Sequence, residues 1–180
     1  MTILMRVYYD NVIASGLITG DIAPETEMAA LRELERAHAA GTIKRVTSRE
    51  SWREQERTRD AVRRSQLEAA RDLVSVVQTD HRVVGFENVF GPLGTIAANP
   101  IVSDVVDEPL FTDLTTLGLR SPDARHFMYA AASDCDWFVT LDKDFLNRRL
   151  LLERRCPSIR VVRPSELVVE LRSAGHLGAG

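Results

Sequence analysis

Short apolar runs alternate with amphipathic stretches along this chain, and the alternation predicts its elements. Residues 3–9 (ILMRVYY) suit a buried first strand that ends at Asp10. Residues 23–41 then predict a helix. Pro24 stands near its start, acids fill its first turn, Met28, Leu31, Leu34 and Ala37 recur at helical spacing, and Gly41 stops it. A short strand is expected at 42–48, followed by one long Arg- and Glu-rich helix from Arg49 to about Val77. From 78 to 120, Gly85, Gly91, Pro92, Gly94, Pro100 and Pro109 break every period, so this part is expected to be an irregular insertion of loops with one or two short helices. Regular patterning returns at 121–135, a helix with Ser121 as N-cap and Pro122 in its first position. A buried strand at 137–140, a basic helix to about Arg155, a strand at 158–162 and a helix at 164–175 complete the pattern. Strands alternating with helices predict one α/β domain spanning 1–180, a three-layer sandwich in which helices flank a central, mainly parallel sheet.

Composition narrows the chemistry. The chain has 180 residues, 44% hydrophobic and 27% charged, as expected of a globular domain able to enclose a core. Its longest apolar runs are about five residues, far short of the roughly 18 that suggest a membrane span. The opening MTILMRVYYD lacks a secretory pattern, so a cytoplasmic protein with no membrane partner is expected. Cys135 and Cys156 match no zinc spacing, and the four histidines are dispersed. Any metal would therefore be held by oxygen. The net charge of −3 argues weakly against nucleic acid, but four clustered carboxylates set aside would leave the remainder at +1. Among the 23 basic residues only Lys44 and Lys143 are lysine, and arginine's planar fork suits phosphate.

In parallel α/β sheets the chemistry lies just beyond the carboxyl ends of the strands. Acids stand at those ends here. Asp10 follows the first strand, Glu50 and Glu54 share a face of the helix after the second, Asp123 opens the helix before the 137–140 strand, and Asp142 and Asp144 follow that strand. Each also has a local explanation as a cap, a first-turn acid or a surface ion-pair partner. Convergence of four such sites on one edge is better explained by a shared purpose. Clustered carboxylates repel unless cations neutralise them, and Mg²⁺ or Mn²⁺ prefers oxygen ligands. Ions so held can bind a phosphodiester and activate water without a histidine base or a serine nucleophile.

Three segments, YYDNVIASG, TSRESWRE and SPDARHFMYAAASDCDWFVTLDKDF, resemble the motif set of PIN-domain ribonucleases, including VapC-like toxins. The third is the most specific, with an Asp opening a helix, a small-residue run, and an apolar strand ending in Thr-x-Asp. The resemblance implies a divalent-metal-dependent endoribonuclease using Mg²⁺ or Mn²⁺. Its metal-binding acids would be Asp10, Glu54, Asp123 and Asp142, with Asp144 as a frequent extra acid. Thr140 would line the site, and Asn11 would be the polar residue after the first acid. RNA is the implied substrate and a protein antitoxin an implied partner. Two departures stand out: Asp10 and Asn11 are adjacent where many members have an intervening residue, and the chain is longer than the usual toxin, with the excess at 78–120.

Lys143, Arg148, Arg149, Arg154 and Arg155 follow Asp142 closely and are candidates for a substrate-binding rim, Lys143 and Arg148 foremost. The Arg49, Arg53, Arg57 stripe is better read as a salt-bridged solvent face, and His126 as a packing residue. Residues 78–120 could cover the site or make a homodimer contact. Two rival classes compete with this reading. The Asp-x-Asp of TLDKDF resembles a haloacid-dehalogenase-like phosphatase motif but stands on a late strand instead of the first. A PIN-like module without catalysis, serving binding or structure, is the alternative function.

Overall fold

The computed structural model describes residues 5–69, 82–90, 96–103 and 105–178, following the backbone path alone through 82–90 and 96–103. In chain order the elements are β1 (Met5–Tyr9), α1 (Asn11–Thr19), α2 (Glu25–Ala39), β2 (Ile43–Val46), α3 (Arg49–Glu56) and α4 (Ala61–Ala69). They continue with β3 (Arg82–Phe90), β4 (Ile96–Ser103), α5 (Glu108–Thr116), α6 (Ser121–Ala132), β5 (Trp137–Val139), α7 (Lys143–Arg155), β6 (Arg160–Val162) and α8 (Pro164–Ser173). Four strands form a parallel sheet in the order β2-β1-β5-β6.

The strands are apolar on both faces because helices cover both. Side chains alternate across a strand, so each face collects every second residue. Tyr8, Val46, Phe138 and Val161 point to one side, where Leu110 and Leu114 of α5, Phe127 and Met128 of α6, and Phe145 and Leu152 of α7 close over them. Val7, Tyr9, Ile43, Val139 and Val162 point to the other, against Ile13 of α1, Leu31 and Leu34 of α2, and Leu167 and Leu171 of α8. The register puts Tyr8 level with Val46 and Phe138, and Phe138 level with Val161, so the first face is a continuous apolar row. Tyr8 and Phe138 stack with ring centroids 5.3 Å apart. The expected three-layer α/β architecture is the one observed. No helix among the described residues is long and apolar enough to cross a membrane.

Two polar contacts fix the periphery. Glu27, buried on α2, accepts from the Ser165 backbone N–H at 2.9 Å and from its hydroxyl at 2.8 Å, clamping the first turn of α8. At the sheet edge, the outward Val161 N–H of β6 donates to Glu153 Oε1 at 2.9 Å.

Four details differ from the sequence expectations. Residues 11–19 form a helix that the apolar pattern did not announce; Asp10 caps it and Gly20, at φ 72°, ends it. The helix expected from Arg49 to Val77 stops at Glu56, and α4 begins anew because Asp60 Oδ1 accepts from the N–H groups of Val62 (2.9 Å) and Arg63 (3.1 Å). Its expected continuation through 70–77 lies outside the described residues. The insertion at 78–120 holds an antiparallel hairpin, β3 with β4, and the helix α5. Gly85 marks a register shift in that ribbon and Pro100 sits opposite Phe86; a two-stranded ribbon has open edges where proline costs no ladder bond. Finally, Arg120 is the N-cap residue of α6, one position before the Ser121 expected in that place.

Candidate functional site

From β1 the chain crosses to β2 on one side and later returns to β5 on the other, so the carboxyl ends of β1 and β5 flank the point where the winding of the sheet reverses. Ligands gather at such points. Asp10 stands at the end of β1 and Asp142 just past β5, each also capping the following helix. Asp10 Oδ1 accepts from Ile13 N–H at 3.1 Å, and Asp142 Oδ1 accepts from Asp144 N–H at 2.7 Å. Local capping and a place in the site are therefore the same geometry here. Thr140 links the two acids: its hydroxyl donates to Asp10 Oδ2 and accepts from Asp142 N–H at 2.9 Å.

Asp10, Asn11, Val12, Glu54, Arg120, Asp123, His126, Asp142 and Phe145 line one cavity of about 190 Å³. Asp10 forms its floor and is only 2% exposed. Burial pushes its carboxyl up to about 6, while the hydrogen bonds from Thr140 and Ile13 pull it back. Asp123, in the first turn of α6, is also raised by burial and steadied by Arg120, whose Nε donates to Asp123 Oδ2 at 2.9 Å. The other arm of that guanidinium reaches to 4.0 Å from Asp142 Oδ2. Glu54 arrives from α3 and meets His126 Nε2 at 3.4 Å. His126 Nδ1 lies 2.8 Å from the Tyr8 hydroxyl, which donates to Ser48 Oγ at 2.6 Å, so one buried chain joins β1, α3 and α6 behind Glu54.

The four expected acids, Asp10, Glu54, Asp123 and Asp142, thus share one cavity, and Asn11 joins them with its Oδ1 accepting from Gln55 Nε2 at 3.4 Å. Glu50 does not: it is buried and paired with Arg53 at 3.2 Å. Asp144 is outside the lining, engaged with Arg148 at 3.1 Å. Thr140 is fully buried behind Asp10, where it orients the acid and does not face the cavity. Lys143 is exposed at the start of α7, away from the lining. Arg148 is committed to Asp144 and to the Leu117 carbonyl at 3.0 Å, and Arg149 to Glu166 at 3.2 Å, so the expected basic rim is largely spent on ion pairs.

Arg120 and His126 are the polar lining residues that the sequence pattern did not place in the site, beside the apolar Val12 and Phe145. For Arg120 the signal was its i, i+3 spacing to Asp123 across a helix start; for His126 it was the face it shares with that acid. Two larger hollows hold acids that are already engaged: the one of about 360 Å³ beside Leu151 has Asp113, paired with Arg155, and the one of about 460 Å³ along β6 has Glu153 on the Val161 N–H, Glu166 on Arg149 and Glu170 on Arg160. The oxygen donors of the smaller cavity suit a hard divalent ion. Among the described residues, however, no group of three His, Cys, Asp or Glu side chains is set to hold a metal.

No family model matches the chain, and no curated protein or solved structure matches it either. Fold and cavity together define an α/β protein with an acid-lined hollow at the carboxyl edge of a parallel sheet.

Proposed function

We propose that this protein is a divalent-metal-dependent endoribonuclease. One observation carries the reading: four carboxylates from β1, α3, α6 and the β5–α7 connection line a single cavity at the reversal point of the sheet. Asp10, Asp123 and Asp142 would hold Mg²⁺ or Mn²⁺, with Glu54 beside them. A bound ion of this kind supplies an acidified water and charge stabilisation for a departing oxygen. The chain's own contribution is orientation. Thr140 holds Asp10 and Asp142 in fixed relation, while Tyr8 and His126 direct Glu54.

RNA as substrate and a protein antitoxin rest on the motif resemblance, and a cytoplasmic setting on the lack of a secretory pattern in the opening residues. A second reading, a binding module without catalysis, is favoured by Arg120 standing among the acids where an ion would sit. A cleavage assay on mixed RNAs, with Mn²⁺ or with EDTA, separates the two. The nuclease reading expects metal-dependent cleavage that falls by orders of magnitude in Asp10→Asn and Asp123→Asn variants that remain folded. Cleavage indifferent to EDTA, or retained by the double variant, overturns it. RNA binding with no cleavage supports the second reading, and a strong deoxy preference overturns the choice of RNA.

A further inference from the structure

Among the described lining residues of the acid cavity, Arg120 is the one arginine or lysine, facing four carboxylates. Its position is built in. The Arg120 carbonyl accepts the Ala124 N–H at 2.8 Å at the start of α6, which fixes the backbone from which the side chain extends over Asp123. Nε takes Asp123 Oδ2 at 2.9 Å and Nη2 approaches Asp142 Oδ2 at 4.0 Å, so one guanidinium spans acids from two separate elements. The side chain is nonetheless 71% exposed, against 9% for Asp123 and 24% for Asp142. A planar fork can satisfy two carboxylates at once, and an ion pair so open to water is held weakly enough to swing aside.

We propose that Arg120 is an intrinsic counter-cation of this cavity, which competes with a divalent ion for Asp123 and Asp142 and so sets the metal concentration at which the site fills. The inference rests on the metal-site reading above and adds its regulation. Competition is both electrostatic and steric. A guanidinium within 4.0 Å of both acids repels a second cation, and as part of the cavity wall it leaves a hollow of only about 190 Å³ for one. It also accounts for four converging acids that form no ready-made ligand set.

The test is Mn²⁺ titration calorimetry on the full chain, comparing wild type with Arg120→Gln and Arg120→Met. The methionine variant keeps an apolar stem should the amide find new partners. Thermal unfolding in EDTA verifies that each variant is folded. Removing the cation is expected to tighten Mn²⁺ binding about tenfold in both variants. Binding by the variants with none by the wild type also supports the inference. Equal or weaker binding by the variants, with the wild type binding, overturns the role of Arg120 and leaves the metal-site reading standing. Failure of all three proteins to bind at millimolar Mn²⁺ overturns both.

Discussion

Replacing Asp10 by Asn should make the metal-free protein more stable at neutral pH, although it removes the most deeply buried acid of the cavity. Burial raises this carboxyl from 3.8 to about 6. The folded state thus binds its proton more tightly than the unfolded chain does. The group's contribution is intact below about pH 4, is lost as pH climbs toward 6, and is gone above that. At about 1.4 kcal/mol per tenfold, the ionised Asp10 costs the metal-free fold roughly 3 kcal/mol at pH 7.5. Asparagine removes that charge and keeps the acceptor for Ile13 N–H. Its amide nitrogen, however, faces a Thr140 hydroxyl that already accepts from Asp142 N–H, so Thr140 loses an acceptor at a cost of about 1 kcal/mol. The net gain is about 1–2 kcal/mol, or about 2–8 °C in Tm for a chain of this size. Thermal unfolding by circular dichroism, in EDTA at pH 7.5 and pH 4, measures it. Because the two proteins differ at one group, the other titrations cancel in the comparison. The gain should vanish or reverse at pH 4. An Asn variant no more stable at pH 7.5, or one equally favoured at both pH values, would refute the reasoning.

Two further outcomes follow from contacts away from the cavity. Glu27→Ala should cost about 2–3 kcal/mol in denaturant unfolding, because the Ser165 N–H and hydroxyl lose a charged acceptor between α2 and α8; Glu27→Gln should lose about half as much, and a Gln variant as stable as the wild type would mean that charge contributes nothing. Burial pushes the Cys135 thiol up to about 12 and raises Cys156 less, so a thiol reagent at pH 8 should leave Cys135 unlabelled until guanidinium unfolds the chain; rapid labelling of both would contradict its placement.

Strand positions and the acids that follow them were legible because both signals are local: an apolar run ends, and a carboxylate caps what comes next. The same locality hid α1. Asp10 and Gly20 bracket nine residues that carry helix-capping signals at both ends, yet mean apolarity spread around that helix leaves no stripe to read. The break between α3 and α4 falls inside uniformly polar sequence, where only Asp60 marks a new start. In the hairpin, Gly85 and Pro100 interrupt the alternation that would have announced β3 and β4. Within the cavity, the acids could be chosen by type and position, but Glu54 and Glu50 share a helical face and only packing decides between them. Arg120 and His126 acquire meaning solely from partners on other elements. The basic residues after Asp142 misled for the converse reason: besides the local Asp144, they are held by Leu117 and Glu166, which are distant in the chain.

The carboxylate of Glu153 bears on how this molecule can meet others. An edge strand ordinarily offers its outward N–H groups as a template on which another chain can add itself. On β6 the Val161 N–H is already occupied from α7, by a group that carries negative charge. An incoming strand would have to evict that carboxylate before forming its first ladder bond there. Sheet growth is thereby discouraged at this edge, and a Glu153→Ala change would convert a finished border into an adhesive one.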